Sequence, residues 1–417
     1  MNHADIETKV TERLIRYARI NTQSHPFRGV WPTTSCQMDL ARMLADELRS
    51  LGAQDVFLDE TACVVYAGIF STCPDAPASP VGLIAHMDTA PDAPGENVCP
   101  WVLKGYDGGD ILLNEEKGIV MRAADYPNLK QYIGCDLVLT DGTTLLGGDD
   151  KASIAAIMTL AEYLGAHPEI PHAPLRIAFT PDEEVGGLAR DLDLKRFGAP
   201  SAYTLDGDHL GWYEDETFNA SEAKIVITGR SVHTGTAKDI MVNAVDIAAE
   251  LMAMLPKDEK PQTTSGVQGF YHVSSCTATC EHASLRMIIR DFGREQFAAR
   301  EDFVRECVKK LQDRYGKDRI SLEITLQYRN MKEMLRNTPE LAERLKQAIS
   351  DSGIQPVCEP FRGGTDGSSL TWRGLPCPNL SAGYENAHGR FEYVPVQSMA
   401  KNVEILMRLC GVPMPRT

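Results

Sequence analysis

The chain has 417 residues, more than one domain comfortably holds, and its 43% hydrophobic and 24% charged content is that of an ordinary globular protein with ample material for a core. A formal net charge of -16, from 42 basic and 58 acidic residues, argues against a nucleic-acid or anionic-membrane partner. No apolar run reaches the ~20 residues of a membrane span. The N-terminal MNHADIETKVTERL has no apolar signal region, so a cytoplasmic location is expected, with the eleven scattered cysteines as reduced thiols.

Taken in chain order, 5–20 predicts a helix, followed by a loop rich in Pro, Gly and Ser and a second amphipathic helix over 36–52 that stops on Gly52. Strands are expected at 62–70 and 80–88, then mostly loop with short strands from Ala90 to about Leu139. A glycine turn at 147–148 feeds a long helix to about 165, and strands follow at 174–180 and 201–207. Strands alternating with helices imply an α/β domain with a mainly parallel sheet. The texture changes between Phe218 and Arg329, where strands at 222–229, 283–292 and 320–328 and helices at 242–255 and 296–316 predict a smaller α+β domain with a largely antiparallel sheet. A helix over 331–350 precedes a return to loop-rich α/β texture. The expected organisation is a catalytic domain in two parts, 1–216 and 331–417, with a lid or dimerisation domain, 217–330, inserted between them.

Acids cluster where apolar strands stop: His86 and Asp88, Asp149 and Asp150, Glu183 and Glu184, Asp206 and Asp208. The carboxyl ends of parallel strands form the edge at which α/β sheets bind ligands. Singly, each has a plain reading, as a helix N-cap or a solvated loop acid. If they converge, their mutual repulsion requires a positive charge among them, and a divalent metal is the natural candidate. His86 and Asp88 are two apart and share a strand face, so both bind a metal, or the carboxylate holds the imidazole while the other ring nitrogen binds. The Gly147-Gly148 turn is not a phosphate-binding loop, since no Gly-Lys-Ser/Thr follows and acids occupy the phosphate position. Glu183 and Glu184 are adjacent and point opposite ways in extended backbone, but the following Val-Gly-Gly permits a turn that brings both to one site. One then binds metal while the other faces a water whose pKa zinc lowers to about 7. His388 supplies a late imidazole of the kind zinc accepts. Cys276, Cys280 and His282 form the tightest cysteine cluster, read as strand and turn thiols because no second pair follows at zinc-site spacing.

The segments HMD (86–88), GGDDKAS (147–153), TPDEEVGG (180–187), TLDGD (204–208), VHTGTAK (232–238), IIRDF (288–292), RGGTDGSSL (362–370) and NAHG (386–389) occur together and in this order. In this the chain resembles the co-catalytic two-zinc metallopeptidases related to carboxypeptidase G and aminoacylase, from about Glu12 to Glu404, and within them an aminopeptidase branch that acts on tripeptides. The resemblance implies two zinc ions per subunit, with cobalt or manganese as substitutes. It implies His86 and Asp206 on one ion, Glu184 and His388 on the other, and Asp149 bridging both. Asp88 then orients His86, and Glu183 is the general base acting on a bridging water. His233 assists the oxyanion or the substrate, and Arg290 and Arg362 pair with the substrate carboxylate, which an arginine fork does well. A homodimer through the lid domain is implied as well. Departures from the pattern fall at Gly148 (alanine expected), Thr234 (proline expected) and Phe391 (histidine expected), none of them an implied ligand. A same-fold hydrolase of another amide (a dipeptidase, an acylamino-acid hydrolase or a carboxypeptidase) is the nearest alternative, and a non-catalytic acidic binding protein the more distant one.

Overall fold

The computed structural model describes residues 3–26 and 28–414. They cluster into two compact units. The first holds the described residues up to Asp215, Glu333–Glu359 and the described residues from Thr365 on; the second holds Glu216–Lys332 and Pro360–Gly364.

The first unit is built on an eight-stranded sheet. Its order is Gln54–Asp59, Val64–Ile69, Leu175–Thr180, Val81–His86, Ala202–Leu205, Asn379–Leu380, Trp212–Glu214 and Val357–Cys358. The four consecutive central strands, from Leu175–Thr180 to Asn379–Leu380, run parallel, while the flanking pairs Gln54–Asp59/Val64–Ile69, Val64–Ile69/Leu175–Thr180 and Asn379–Leu380/Trp212–Glu214 are antiparallel. The sheet is thus mixed, with a parallel centre. Val64–Ile69 and Val81–His86 are buried at every position because both faces are covered. Alternation along the strands sorts their side chains into two cores. Val65, Ala67, Leu83, Ile177 and Phe179 join helices His3–Ala18, Gln37–Ser50, Gly148–Ala166 and Val396–Leu409 on one side. Val64, Tyr66, Ile84 and Ala178 meet Phe197, Leu370 and Leu375 on the other.

Of the expected elements, the loop with short strands over 90–139 is present, while the single helix over 331–350 is not. The region 90–139 contains the strands Trp101–Leu103 and Leu137–Leu139 and the hairpin Ile111–Asn114/Ile119–Met121, packed around an apolar cluster of their own with Tyr106, Leu129 and Tyr393. The helix expected over 331–350 is two helices, Lys332–Leu335 and Pro339–Asp351. Pro339 lacks an N–H and disfavours helical backbone at Thr338, so the second helix starts afresh with proline in its first turn.

The second unit is a four-stranded antiparallel sheet in the order Phe270–Ala278, His282–Asp291, Asn219–Thr228, Ile320–Tyr328. Ala223, Ile225, Ile227, Leu285, Met287 and Ile289 project from one face onto Ile247, Leu251, Val304, Val308 and Leu311 of the helices Ala244–Met254 and Arg294–Tyr315. The edge strand Phe270–Ala278 escapes a periodicity reading because its second half, 274–277, is exposed and largely polar. Cys276 lies on that edge, Cys280 in the hairpin turn and His282 at the start of the next strand; all eleven cysteines are free thiols. Among the described residues, no helix is long and apolar enough to cross a membrane.

Candidate metal centre

His86, Glu183, Glu184 and Asp206 lie at or just beyond the ends of central strands of the first unit's sheet, whereas Asp149 opens a helix and His388 lies in the loop after Asn379–Leu380. His86 closes the strand Val81–His86 and is 2% exposed. Its Nδ1 lies 3.4 Å from Asp88 Oδ1 and 3.2 Å from the Asp88 carbonyl, and its Nε2 lies 3.0 Å from Asp149 Oδ1. Its backbone N–H donates to Asp150 Oδ2 at 3.2 Å. Asp88 is fully buried, and its two oxygens also accept the backbone N–H groups of Glu183 (2.9 Å) and Glu184 (3.2 Å). One carboxylate therefore sets both the imidazole and the turn that carries the two glutamates.

That turn is a single 3-10 turn, Glu183–Val185, flanked by left-handed backbone at Asp182 (φ 61°) and Gly186 (φ 84°). Gly187 follows with room for no side chain, since a Cβ there would lie 2.6 Å from the Asp182 carbonyl oxygen. Asp182 itself, the first of the three acids of TPDEEVGG, has no role in the sequence pattern. The structure buries it completely and makes it the anchor of the turn. Its carboxylate accepts the Thr33 N–H and the Gln37 amide, both at 2.7 Å, and the Thr33 hydroxyl. These partners lie about 150 positions upstream in sequence, with separations of 145 and 149, so no local signal announces them.

Asp149 follows left-handed Gly147 (φ 76°) and precedes the regular part of the helix Gly148–Ala166. Neither Asp149 (ψ 101°) nor Asp150 (φ -121°) has helical backbone, and the peptide between them is cis. Asp149 therefore does not act as a simple cap; its Oδ1 faces His86 and its Oδ2 lies 3.2 Å from Nε2 of His388. His388, at φ 64°, also lies 2.9 Å from Glu184 Oε2. Asp206 follows the strand Ala202–Leu205 and accepts the Tyr384 hydroxyl at 2.7 Å, while that hydroxyl accepts the Gly207 N–H at 2.8 Å. Two overlapping sets of potential ligand atoms result, each within 4.8 Å: His86, Asp149 and Glu184; and His86, Glu183 and Asp206. Among the described residues, the Glu183 carboxylate makes no hydrogen bond, and it is the open group of the cluster.

The electrostatics call for a cation. Burial and neighbouring acids push the Glu184 carboxyl up to about 8 and that of Asp206 to about 6. Burial also drives Glu183 well above the usual carboxylate range, with Asp206, Asp366 and Glu184 adding to it. Burial alone would lower His86, but Asp149 and Asp88 outweigh it and hold the ring protonated. His388 is raised in the same way by Asp149 and Glu184. Asp149 is lowered despite burial, through its hydrogen bonds with the two imidazoles. In addition, Glu184 Oε1, Asp150 Oδ1 and Asp366 Oδ1 are buried acceptors with no hydrogen-bond partner. Imidazole and carboxylate donors, excess buried negative charge and orphaned oxygens fit divalent metal, and protons otherwise take its place.

The three residues expected at the substrate are in the second unit. His233 is exposed, and its Nδ1 accepts the Gly235 N–H. Arg290 donates to the carbonyls of Ser221 and Ile289 and to Gln327, over the Tyr328 ring. Arg362 donates to the carbonyls of Gly266 and Gln268 and to Thr264, between Phe218 and Phe270. Of the departures, Gly148 has a local cause: a Cβ there would lie 2.5 Å from Val394 Cγ2. Phe391 packs against Tyr126 at 5.3 Å. Nothing in the structure explains Thr234.

Comparison with known proteins agrees with this architecture. Residues 216–319 match the peptidase dimerisation domain of the M20 type. The fold is shared with a tripeptidase of Staphylococcus aureus (TM-score 0.76, 20% identity, 97% of both chains). It is also shared with the YXEP protein of Bacillus subtilis, described as a dinuclear metal binding peptidase of the M20 family (TM-score 0.64, 13% identity, 98% of both chains). The fold and the inserted domain are of the M20 type, and the dimerisation domain points to self-association. Peptidase T of Geobacillus kaustophilus is 48% identical over 404 residues, 97% of this chain and 98% of the relative. The chain belongs to the peptidase T family.

Proposed function

We propose that the protein is a dizinc aminopeptidase that releases the N-terminal residue of tripeptides and similarly short peptides. The observation that carries this reading is the pair of ligand sets sharing His86, with Asp149 between the two imidazoles. The names of the relatives, peptidase T and a tripeptidase, support the substrate class. His86 and Asp206 would hold one ion and Glu184 and His388 the other, with Asp149, whose oxygens face both imidazoles, placed to serve both. Bound ions would supply Lewis acidity for the scissile carbonyl and for the attacking water.

The chain's own groups do the rest. Asp88 keeps the His86 ring in one orientation and fixes the backbone of Glu183 and Glu184 through their N–H groups. Glu183, free of hydrogen bonds, takes the proton from the attacking water and passes it to the leaving amine. Asp182 keeps the turn carrying Glu183 rigid while this happens. The acid-rich site suits the peptide's α-ammonium group. Arg290 and Arg362 serve its carboxylate, and His233 its developing oxyanion, with a homodimer formed through the second unit.

The test is hydrolysis of a panel of di-, tri- and tetrapeptides, free and N-acetylated, by zinc- and cobalt-loaded enzyme. The proposal expects a tripeptide optimum and no cleavage of blocked peptides. Preferred cleavage of N-acyl substrates would overturn it.

A further inference from the structure

The segment Tyr384–Glu392 carries His388, and its last residue is a buried acid that the reaction above does not use. Glu392 is 2% exposed. Its Oε2 accepts the backbone N–H groups of Leu146 (2.9 Å) and Gly147 (2.8 Å), and its Oε1 accepts that of Asp149 (2.9 Å). The carboxylate thus straddles the glycine turn and holds it on both sides of Gly148. Packing is equally close: a Cβ on Gly148 would lie 3.0 Å from Glu392 Oε1. Three charge-assisted bonds to one short stretch leave the Asp149 backbone little freedom. The Asp149 oxygens then stand at 3.0 and 3.2 Å from the two imidazoles, one of which, His388, sits four residues before Glu392 on the same segment.

We propose that Glu392 is a positioning residue that locks the turn bearing Asp149 to the segment bearing His388, so that the two metal positions share a preformed bridging carboxylate. This rests on the metal reading above. Glu385 provides the contrast. It lies on the same segment with a side chain 2% exposed, yet it binds Tyr132, Asn128 and His209, none of which is a proposed ligand.

The test uses the full-length protein, stripped of metal and titrated with Co(II), for the parent, Glu392→Gln and Glu385→Gln. Glutamine at 392 turns one oxygen into a donor facing N–H groups, so at least one of the three bonds is lost: the one from Asp149, or the pair from Leu146 and Gly147. Glu392→Gln is expected to bind at least one cobalt equivalent about 10–100-fold more weakly, with altered visible bands and an unchanged far-UV spectrum. Glu385→Gln is expected to keep the parent's affinity and bands. A parental isotherm and spectrum in Glu392→Gln, or an equal loss in Glu385→Gln, would overturn the proposal. Should Glu392→Gln not accumulate as folded protein, Glu392→Asp, which keeps the charge but falls short of the turn, carries the same expectation. If the parent itself takes up no cobalt, the metal reading fails instead.

Discussion

Replacing the two adjacent glutamates one at a time separates the roles assigned to them. The Glu183 carboxylate makes no hydrogen bond, and its backbone is held by Asp88, so Glu183→Gln removes no structural contact. It removes only proton transfer, worth about 10²–10⁴-fold in rate, or about 3–5 kcal/mol of barrier. Glu184 differs: its Oε2 lies 2.9 Å from His388 and its Oε1 is buried without a partner. Glu184→Gln would place an amide NH2 where a cation or an imidazole N–H should sit. Even loss of a supporting group costs about 10–100-fold in metal affinity, and loss of a ligand should cost no less. Metal content by atomic emission and kcat with a tripeptide, measured on the same samples, separate the two cases. Glu183→Gln should retain two ions and lose at least 99% of kcat, about the hundredfold lower bound; Glu184→Gln should lose metal. Equal metal loss in both variants would refute the assignment, and the second ligand set, which groups Glu183 with His86 and Asp206, makes this a real alternative.

In the metal-free protein, Glu184, Asp206, Asp366 and the two imidazoles have folded-state pKa values above their ordinary ones, the carboxyls at about 8, 6 and 7. Groups raised on folding stabilise at low pH and lose that contribution as pH rises through the folded value. Asp149, lowered instead, does not titrate in this window. The chelated protein should therefore melt lower at pH 8 than at pH 6, and added zinc should raise melting more at pH 8; melting that rises with pH without metal would contradict this. Asp182→Ala strands the Thr33 N–H and hydroxyl and the Gln37 amide, costing about 2–4 kcal/mol and lowering the melting temperature by about 2–4 °C per kcal/mol, whereas an unchanged melt would remove Asp182 as an anchor. Light scattering should give the mass of two chains, and deletion of 217–330 should leave a monomer of little activity; a dimer that survives the deletion would place the interface elsewhere.

The sequence carried the parts of the site that depend on local pattern. His86, Asp149, Glu183, Glu184 and Asp206 stand at ends of apolar runs or glycine turns, and strand direction alone gathers such positions at one sheet edge. Hidden from it were the groups that hold these residues in place. Asp182, Tyr384 and Glu392 act through partners more than a hundred residues away, and nothing in their immediate neighbours marks them. The same applies to the edge strand Phe270–Ala278, stabilised by pairing with its neighbour rather than by its own burial, and to Pro360–Gly364, five residues that cluster with the second unit although their surroundings in sequence belong to the first. Helix periodicity over 331–350 was outweighed by one backbone constraint, at Pro339.

In the proposed enzyme, hydrolysis depends on two ions held by this cluster. The most direct test of that dependence is zinc content and tripeptide hydrolysis measured on one preparation as purified, after chelation, and after stepwise return of zinc. Activity should disappear with the metal and return as two equivalents per chain are restored. Full activity in verified metal-free protein would contradict that dependence.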